Sequence, residues 1–188
     1  MIKFITGAMQ RKQWPDSDCE ILLVGRSNVG KSTFLNNLAK QRIAYVGKTP
    51  GKTRMLNFFA DEQYTLVDAP GYGYAKRSTR EIDEYRQMME EYFNYRDALR
   101  LVVLLVDARH KPSVEDQEMM EFLRQQRLPI LVVATKVDKL RRNDYKLNAQ
   151  LIADTLCIPV DSVFFKDLSN ELEVNKLHKE IIHRLSIL

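Results

Sequence analysis

Apolar residues along the chain fall into two rhythms. Short unbroken runs rich in branched side chains alternate with stripes at helical spacing. Residues 21–24 (Ile-Leu-Leu-Val) read as a first strand that ends at Gly25. Residues 56–60 and 64–67 flank Asp61-Glu62-Gln63, the pattern of a tight hairpin. Residues 101–106 and 130–134 are continuously apolar, as expected of strands buried on both faces of a parallel sheet. Residues 162–165 are a weaker sixth candidate. Between these runs lie helices at 31–40, 80–95, 113–123, 144–156 and 172–185. In the second of them Ile82, Tyr85, Met89 and Tyr92 recur every three or four residues, one apolar stripe. Strands alternating with helices predict an α/β fold. The expected sheet has six strands and is mostly parallel, with one antiparallel strand and helices on both faces. There is no repeat, low-complexity segment or linker, so residues 1–188 are expected to form a single domain.

Composition narrows this picture. A chain of 188 residues buries enough surface to fold without a metal or a disulfide. The longest apolar run, Leu101 to Val106, is far short of the roughly 20 residues of a membrane span. The apolar stretch after Met1 is also too short for a secretory signal. Cys19 and Cys157 stand far apart, and His110, His178 and His183 form no ligand spacing. Two reduced thiols in a cytoplasmic protein are expected, with no membrane partner. The net charge of +4 favours an anionic partner without identifying one.

Chemistry enters with Gly25-Arg26-Ser27-Asn28-Val29-Gly30-Lys31-Ser32, followed by Thr33. Two glycines spaced in this way before Lys-Ser, after a strand and before a helix, are the pattern of a phosphate-binding loop. The glycines let main-chain N–H groups turn around phosphate oxygens, and the helix start adds partial positive charge. Lys31 is expected along the β- and γ-phosphates and Ser32 on Mg²⁺.

Thr135-Lys136-Val137-Asp138 follows the run 130–134. The Asp138 carboxylate can accept from N1 and N2 of guanine. Adenine offers no such donors, and an unmatched buried carboxylate costs about 1–3 kcal/mol. Lys136 is expected with its stem over the base. Guanine sites usually begin this motif with Asn, and Thr135 departs from that. Asp68-Ala69-Pro70-Gly71 ends the run 64–67. Asp68 is expected to hold a water on Mg²⁺, and the Gly71 N–H to meet a γ-phosphate. Thr53, in the loop Lys48 to Arg54, is the expected switch threonine that reaches Mg²⁺ when a γ-phosphate orders the loop, with Thr49 as the alternative.

These motifs, together with Asn57-Phe58-Phe59 and the run Pro70-Gly71-Tyr72-Gly73-Tyr74-Ala75-Lys76, resemble the EngB-type (YihA/YsxC) GTPases, which assist assembly of the large ribosomal subunit. The resemblance spans about residues 4–185, and Thr135 is what that family carries. It implies a Ras-like GTPase fold, GTP hydrolysis to GDP and phosphate, and Mg²⁺ held by Ser32 and Thr53. It also implies a GTP-state contact across Gly51, Lys52, Thr53, Arg54 and Met55. The family has a Ser-Ser pair after the last strand. A gap-free reading puts Phe165, Lys166 and Asp167 at that loop, and a shifted reading puts Ser169 there.

Lys31, Thr53 and Gly71 are the expected catalytic groups, with no general base among them. Tyr72 stands where many small GTPases carry a water-positioning Gln, so slow intrinsic turnover is expected. Asn28 has two readings, a K⁺ ligand beside the phosphates or a residue that tolerates a turn. Lys48, Lys52, Arg54, Lys76, Arg77, Arg80, Arg141 and Arg142, with Tyr72 and Tyr74 interleaved, suggest a surface for ribosomal RNA. The alternative is a nucleotide-gated RNA-binding module with negligible turnover. A monomer is expected, and Trp14 and the Met88/Met89 pair are expected to be packing residues.

Overall fold

In a computed structural model, residues 2–44, 55–73 and 78–187 are described. Their strands form one seven-stranded sheet in the order β1-β3-β4-β2-β5-β6-β7. The strands are β1 (Lys3–Ala8), β2 (Glu20–Gly25), β3 (Leu56–Ala60), β4 (Thr65–Asp68), β5 (Leu99–Asp107), β6 (Ile130–Thr135) and β7 (Val163–Phe165). β3 runs antiparallel to both β1 and β4. The remaining pairings are parallel. The expected mixed sheet with one reversed strand is therefore present, with one more strand than the pattern gave. β1 escapes notice because Phe4 and Ile5 are both about half exposed, so its apolar residues do not alternate.

Side chains on successive residues of a strand point to opposite faces. Leu22, Val24, Val102, Leu104 and Val106 face α2 (Thr79–Tyr95), α3 (Val114–Gln125) and α4 (Tyr145–Leu156), packing on Met88, Met89, Tyr92, Leu123 and Ile152. Ile21, Leu23, Leu101, Val103 and Leu105 face α1 (Lys31–Ala39) and α5 (Glu171–Ser186), packing on Phe34, Leu35, Leu177 and Ile181. Trp14 packs edge-on against Tyr92 at 5.4 Å, a structural role as expected of it.

Helix starts are locally specified. Ser78 with Glu81, and Ser113 with Asp116, form reciprocal capping boxes at α2 and α3. The Asn170 side chain caps α5. α1 starts from Gly30 at φ +114° with no side-chain cap. Its first N–H groups lie at the carboxyl end of β2, the edge where open α/β sheets place their ligands.

Candidate functional site

The phosphate loop is wedged between the ends of β4 and β6. Gly25 O accepts from Lys31 Nζ at 3.3 Å and from Tyr72 N–H at 3.3 Å. Ser27 N–H donates to Tyr72 O at 2.8 Å, and Ser27 Oγ donates to Gly71 O at 3.2 Å. Arg26 and Tyr72 thereby extend the parallel pairing of β2 and β4 beyond the strands. A side chain at Gly71 would put its Cβ 2.8 Å from both Ser27 N and Ser27 Cα, so only glycine fits.

From the β6 side, Thr135 Oγ1 lies 2.6 Å from Val29 O and 3.0 Å from Val106 O. Its single proton serves one carbonyl at a time. A hydroxyl thus braces the loop where guanine sites usually carry an amide. Lys136, itself in the left-handed region at φ +59°, donates to Asn28 O and to Asp107 Oδ2, each at 2.8 Å. Asp107 also takes two side-chain bonds from Arg109, at 2.9 and 2.8 Å. Burial opposes its ionisation, yet the bonds from Arg109 and Lys136 hold its carboxyl well below the usual carboxylate range. Nothing in the sequence singled out Asp107; the end of a buried strand beside a Lys-x-Asp motif was the available signal.

Asn28 adopts φ +63°, so its backbone is in the left-handed turn conformation that the second of its two readings required. Asp138 is paired with Lys139 at 2.7 Å and keeps about a third of its side chain exposed.

Asp68 closes β4 and is buried. One carboxylate oxygen, Oδ1, has no hydrogen-bond partner among the described residues. Burial raises its pKa from 3.8 to about 6, opposed by the charge of Lys31. A buried carboxylate oxygen with no partner, next to a phosphate-loop lysine, is a donor suited to a hard cation or its bound water.

The last strand brings Phe165 beside Ala134 in register, so the loop after it joins the same edge. The Phe165 ring packs edge-on against Tyr145 at 5.7 Å. Asp167 Oδ1 accepts from Ser169 N–H at 2.9 Å and Ser169 Oγ at 2.7 Å. The gap-free and shifted readings therefore fall on one turn. That turn, with the end of α1, lines a cavity of about 480 Å³ that includes Asn37, Lys40 and Ser169.

Other expectations meet different outcomes. Thr49, Gly51, Lys52, Thr53 and Arg54 lie outside the described residues, as do Lys48, Tyr74, Lys76 and Arg77. Met55 is described, and its thioether covers Gly7 of β1. Tyr72 is corrected: it is not on a basic surface but buried, 7% exposed, with its hydroxyl 2.8 Å from Asp116 Oδ1. After β4 the chain turns, and the Tyr72 ring enters the core shared with α2 and α3, which also holds Val67 and Ala69. Arg80 is exposed and ion-paired with Glu84.

Comparison with known proteins settles the family. The family model for the 50S ribosome-binding GTPase matches residues 20–136, which contain the loop, Asp68 and Thr135-Lys136. A probable GTP-binding protein EngB of Mesoplasma florum is 47% identical over 176 residues, 92% of this chain and 88% of that protein. The chain belongs to the EngB family of GTP-binding GTPases. An EngB protein of Desulfitobacterium hafniense (strain DCB-2) is 45% identical, covering 98% of this chain and 94% of its own. The fold of a probable EngB crystal structure aligns with a TM-score of 0.74 at 22% identity, over 90% of this chain and all of that one. The fold of Era, solved with MgGDPNP and a 16S ribosomal RNA segment, aligns at 0.66 and 23% identity, over 89% of this chain and 56% of that one. No helix among the described residues is long and apolar enough to cross a membrane.

Proposed function

We propose that this chain is a Mg²⁺-dependent GTP switch with slow intrinsic hydrolysis that acts in assembly of the large ribosomal subunit. The observation that carries the nucleotide and metal part is the placement, at the carboxyl end of the sheet, of Lys31 on Gly25 O near a buried Asp68 oxygen with no hydrogen-bond partner among the described residues. Main-chain amides of residues 30–33, at the start of α1, cradle the polyphosphate, and Lys31 turns from Gly25 O to the β- and γ-phosphates. Gly71 N–H meets the γ-phosphate. Asp138 reads guanine, Lys136 covers its face, and the turn 165–169 closes over the base. Ser32 and, through water, Asp68 would hold Mg²⁺ with Thr53. When bound, the ion would offset negative charge gathering on the phosphates.

The site of Tyr72 supports slow turnover. Its phenol is buried on Asp116 and cannot orient an attacking water. The same observation favours the second reading, an RNA-binding module gated by GTP with negligible hydrolysis. K⁺ held at Asn28, whose side chain is exposed, belongs to the first reading. The basic residues Arg141 and Arg142, both exposed, and the match to a ribosome-binding family model support the ribosomal part.

Phosphate release with K⁺ against Na⁺, with and without large subunits, separates the two readings. The switch reading expects K⁺- or subunit-stimulated turnover; none under any condition leaves the gated module. Co-sedimentation with large subunits that is equal under GTP, GDP and no nucleotide would remove the ribosomal switch. GDP and not ADP should displace a bound fluorescent GDP.

A further inference from the structure

Tyr72 follows Gly71 and is fixed at three separate atoms. Its N–H donates to Gly25 O at 3.3 Å, and its carbonyl accepts Ser27 N–H at 2.8 Å. Its hydroxyl donates to Asp116 Oδ1 at 2.8 Å. The first two partners belong to the phosphate loop and the third to α3. Asp116 is itself buried and held. Its other oxygen, Oδ2, accepts from Ser113 N–H at 2.9 Å and from Ser113 Oγ at 3.0 Å, as part of the α3 cap. One carboxylate thus ties the helix start to the residue after Gly71. Burial raises the Tyr72 hydroxyl well above its ordinary value, and the Asp116 charge and hydrogen bond add to this. The phenol therefore stays a donor at every working pH. Gly71 lies close against Ser27, whose Oγ donates to Gly71 O at 3.2 Å, and Tyr72, the next residue, is tied to the same loop through Gly25 O and Ser27 N–H.

We infer that Tyr72 is a positioning residue for triphosphate recognition: anchored on Asp116, it fixes the Gly71 peptide at the phosphate loop and so favours a nucleotide with a γ-phosphate over one without. This rests on the reading above that Gly71 meets the γ-phosphate. An amide held in place before binding loses little freedom when the phosphate arrives. An amide freed from its anchor must be ordered by the ligand, which lowers triphosphate affinity. A diphosphate does not reach that amide, and its affinity is indifferent to the anchor.

The test is equilibrium titration of the whole chain, with Mg²⁺, against GDP and a non-hydrolysable GTP analogue. Tyr72→Phe removes the hydroxyl and keeps the buried ring. Its triphosphate affinity should fall roughly three- to tenfold, the weight of one buried hydrogen bond, with GDP affinity unchanged. Asp116→Ala should reproduce that shift by removing the acceptor, and the double variant should be no worse than the larger single effect. Tyr92→Phe deletes a like-buried phenol that bonds Glu20 at the far end of the sheet, and should leave both affinities where they were. Should Tyr72→Phe fold poorly, Asp116→Ala carries the same comparison, with thermal melting of the nucleotide-free protein as its fold check. An unchanged GTP-to-GDP ratio, an equal loss of both nucleotides, or a rise in the ratio would overturn the inference while leaving the GTP reading intact. A wild-type protein that binds neither nucleotide would instead remove the reading beneath it.

Discussion

Two buried carboxylates at opposite ends of the same sheet have opposite surroundings. Glu20 opens β2 and is fully buried. Arg96 reaches both its oxygens, one of them through Nε at 2.8 Å, and the Tyr92 hydroxyl donates to it as well. Arg96 in turn lies over the rings of Trp14 and Phe58, at 5.6 and 5.9 Å, and donates to Pro15 O at 2.6 Å. Asp68 closes β4 at the other end, and one of its oxygens has no such partner among the described residues. An ion pair satisfied from within fixes the fold at one end. A carboxylate held without its full complement of donors weakens the nucleotide-free protein, and that cost makes sense where a ligand completes it.

The largest effect is expected from breaking the satisfied end. Glu20→Ala leaves the Arg96 guanidinium, 14% exposed, without its counter-charge and strands the Tyr92 hydroxyl. A loss of about 3–5 kcal/mol is expected in denaturant unfolding. Nucleotide affinity of the fraction that still folds should not change. A loss below about 1 kcal/mol would mean that Glu20 is not the keystone described here.

Next comes Lys31→Ala at the ligand end. It should cost the fold about 1–2 kcal/mol, since Lys31 donates to Gly25 O and its charge favours the ionised Asp68 carboxylate. Triphosphate affinity should drop by roughly 10- to 100-fold, the weight of charge-assisted bonds to phosphate. Unaltered affinity would remove the phosphate assignment.

Asp68→Asn sharpens the contrast through pH. Burial lifts the Asp68 pKa from 3.8 to about 6, against the pull of Lys31. A carboxyl raised on folding favours the folded state most when protonated. Its contribution is therefore largest below about pH 4, falls as pH rises to about 6, and stays low above. Asp68→Asn should stabilise the nucleotide-free protein at pH 8, on the order of 2–3 kcal/mol, and add nothing near pH 4. It should also weaken the Mg²⁺ dependence of nucleotide binding. Equal stability of the two proteins at pH 8 would show that Asp68 bears no burden in the absence of ligand.

The sequence already displayed most of this edge of the sheet. The runs 21–24, 101–106 and 130–134 are strands buried on both faces, and their ends carry Gly25, Asp107 and Thr135. The glycine spacing and the Lys-Ser pair placed the loop without any tertiary information. What could not be read was contact between segments distant in the chain. Thr135 reads in the sequence as a departure from the usual Asn, and the contact of its hydroxyl with Val29 O spans more than a hundred residues. Tyr72 looked like a surface aromatic because its neighbours in sequence are glycines and basic residues. Its burial depends on α3, more than forty residues away. β1 was missed for a different reason: an edge strand with two exposed apolar residues has no alternation to read.

Asp107 is the third carboxylate of the comparison and lies between the other two in character. It is partly exposed, and two cations share it: Arg109 and Lys136 each donate to it at 2.8 Å. Burial works against its charge, but the two cations hold its carboxyl below the usual range. Its stabilisation is thus complete above the ordinary carboxylate range and is lost only as pH falls toward that depressed value. Its chemical use is to hold the Lys136 ammonium between itself and Asn28 O, which fixes the stem that is proposed to cover guanine. Asp107→Asn keeps an acceptor in place and removes the charge, so Lys136 should be loosened rather than released. GDP affinity should fall by only about two- to fivefold, and Lys136→Ala should cost more. In the double variant the Asp107 change should cost nothing further, because it acts through Lys136. If Asp107→Asn weakens GDP binding equally with Lys136 present or absent, the carboxylate is acting on the nucleotide by another route, and the contrast between structural and ligand-facing carboxylates needs a different boundary.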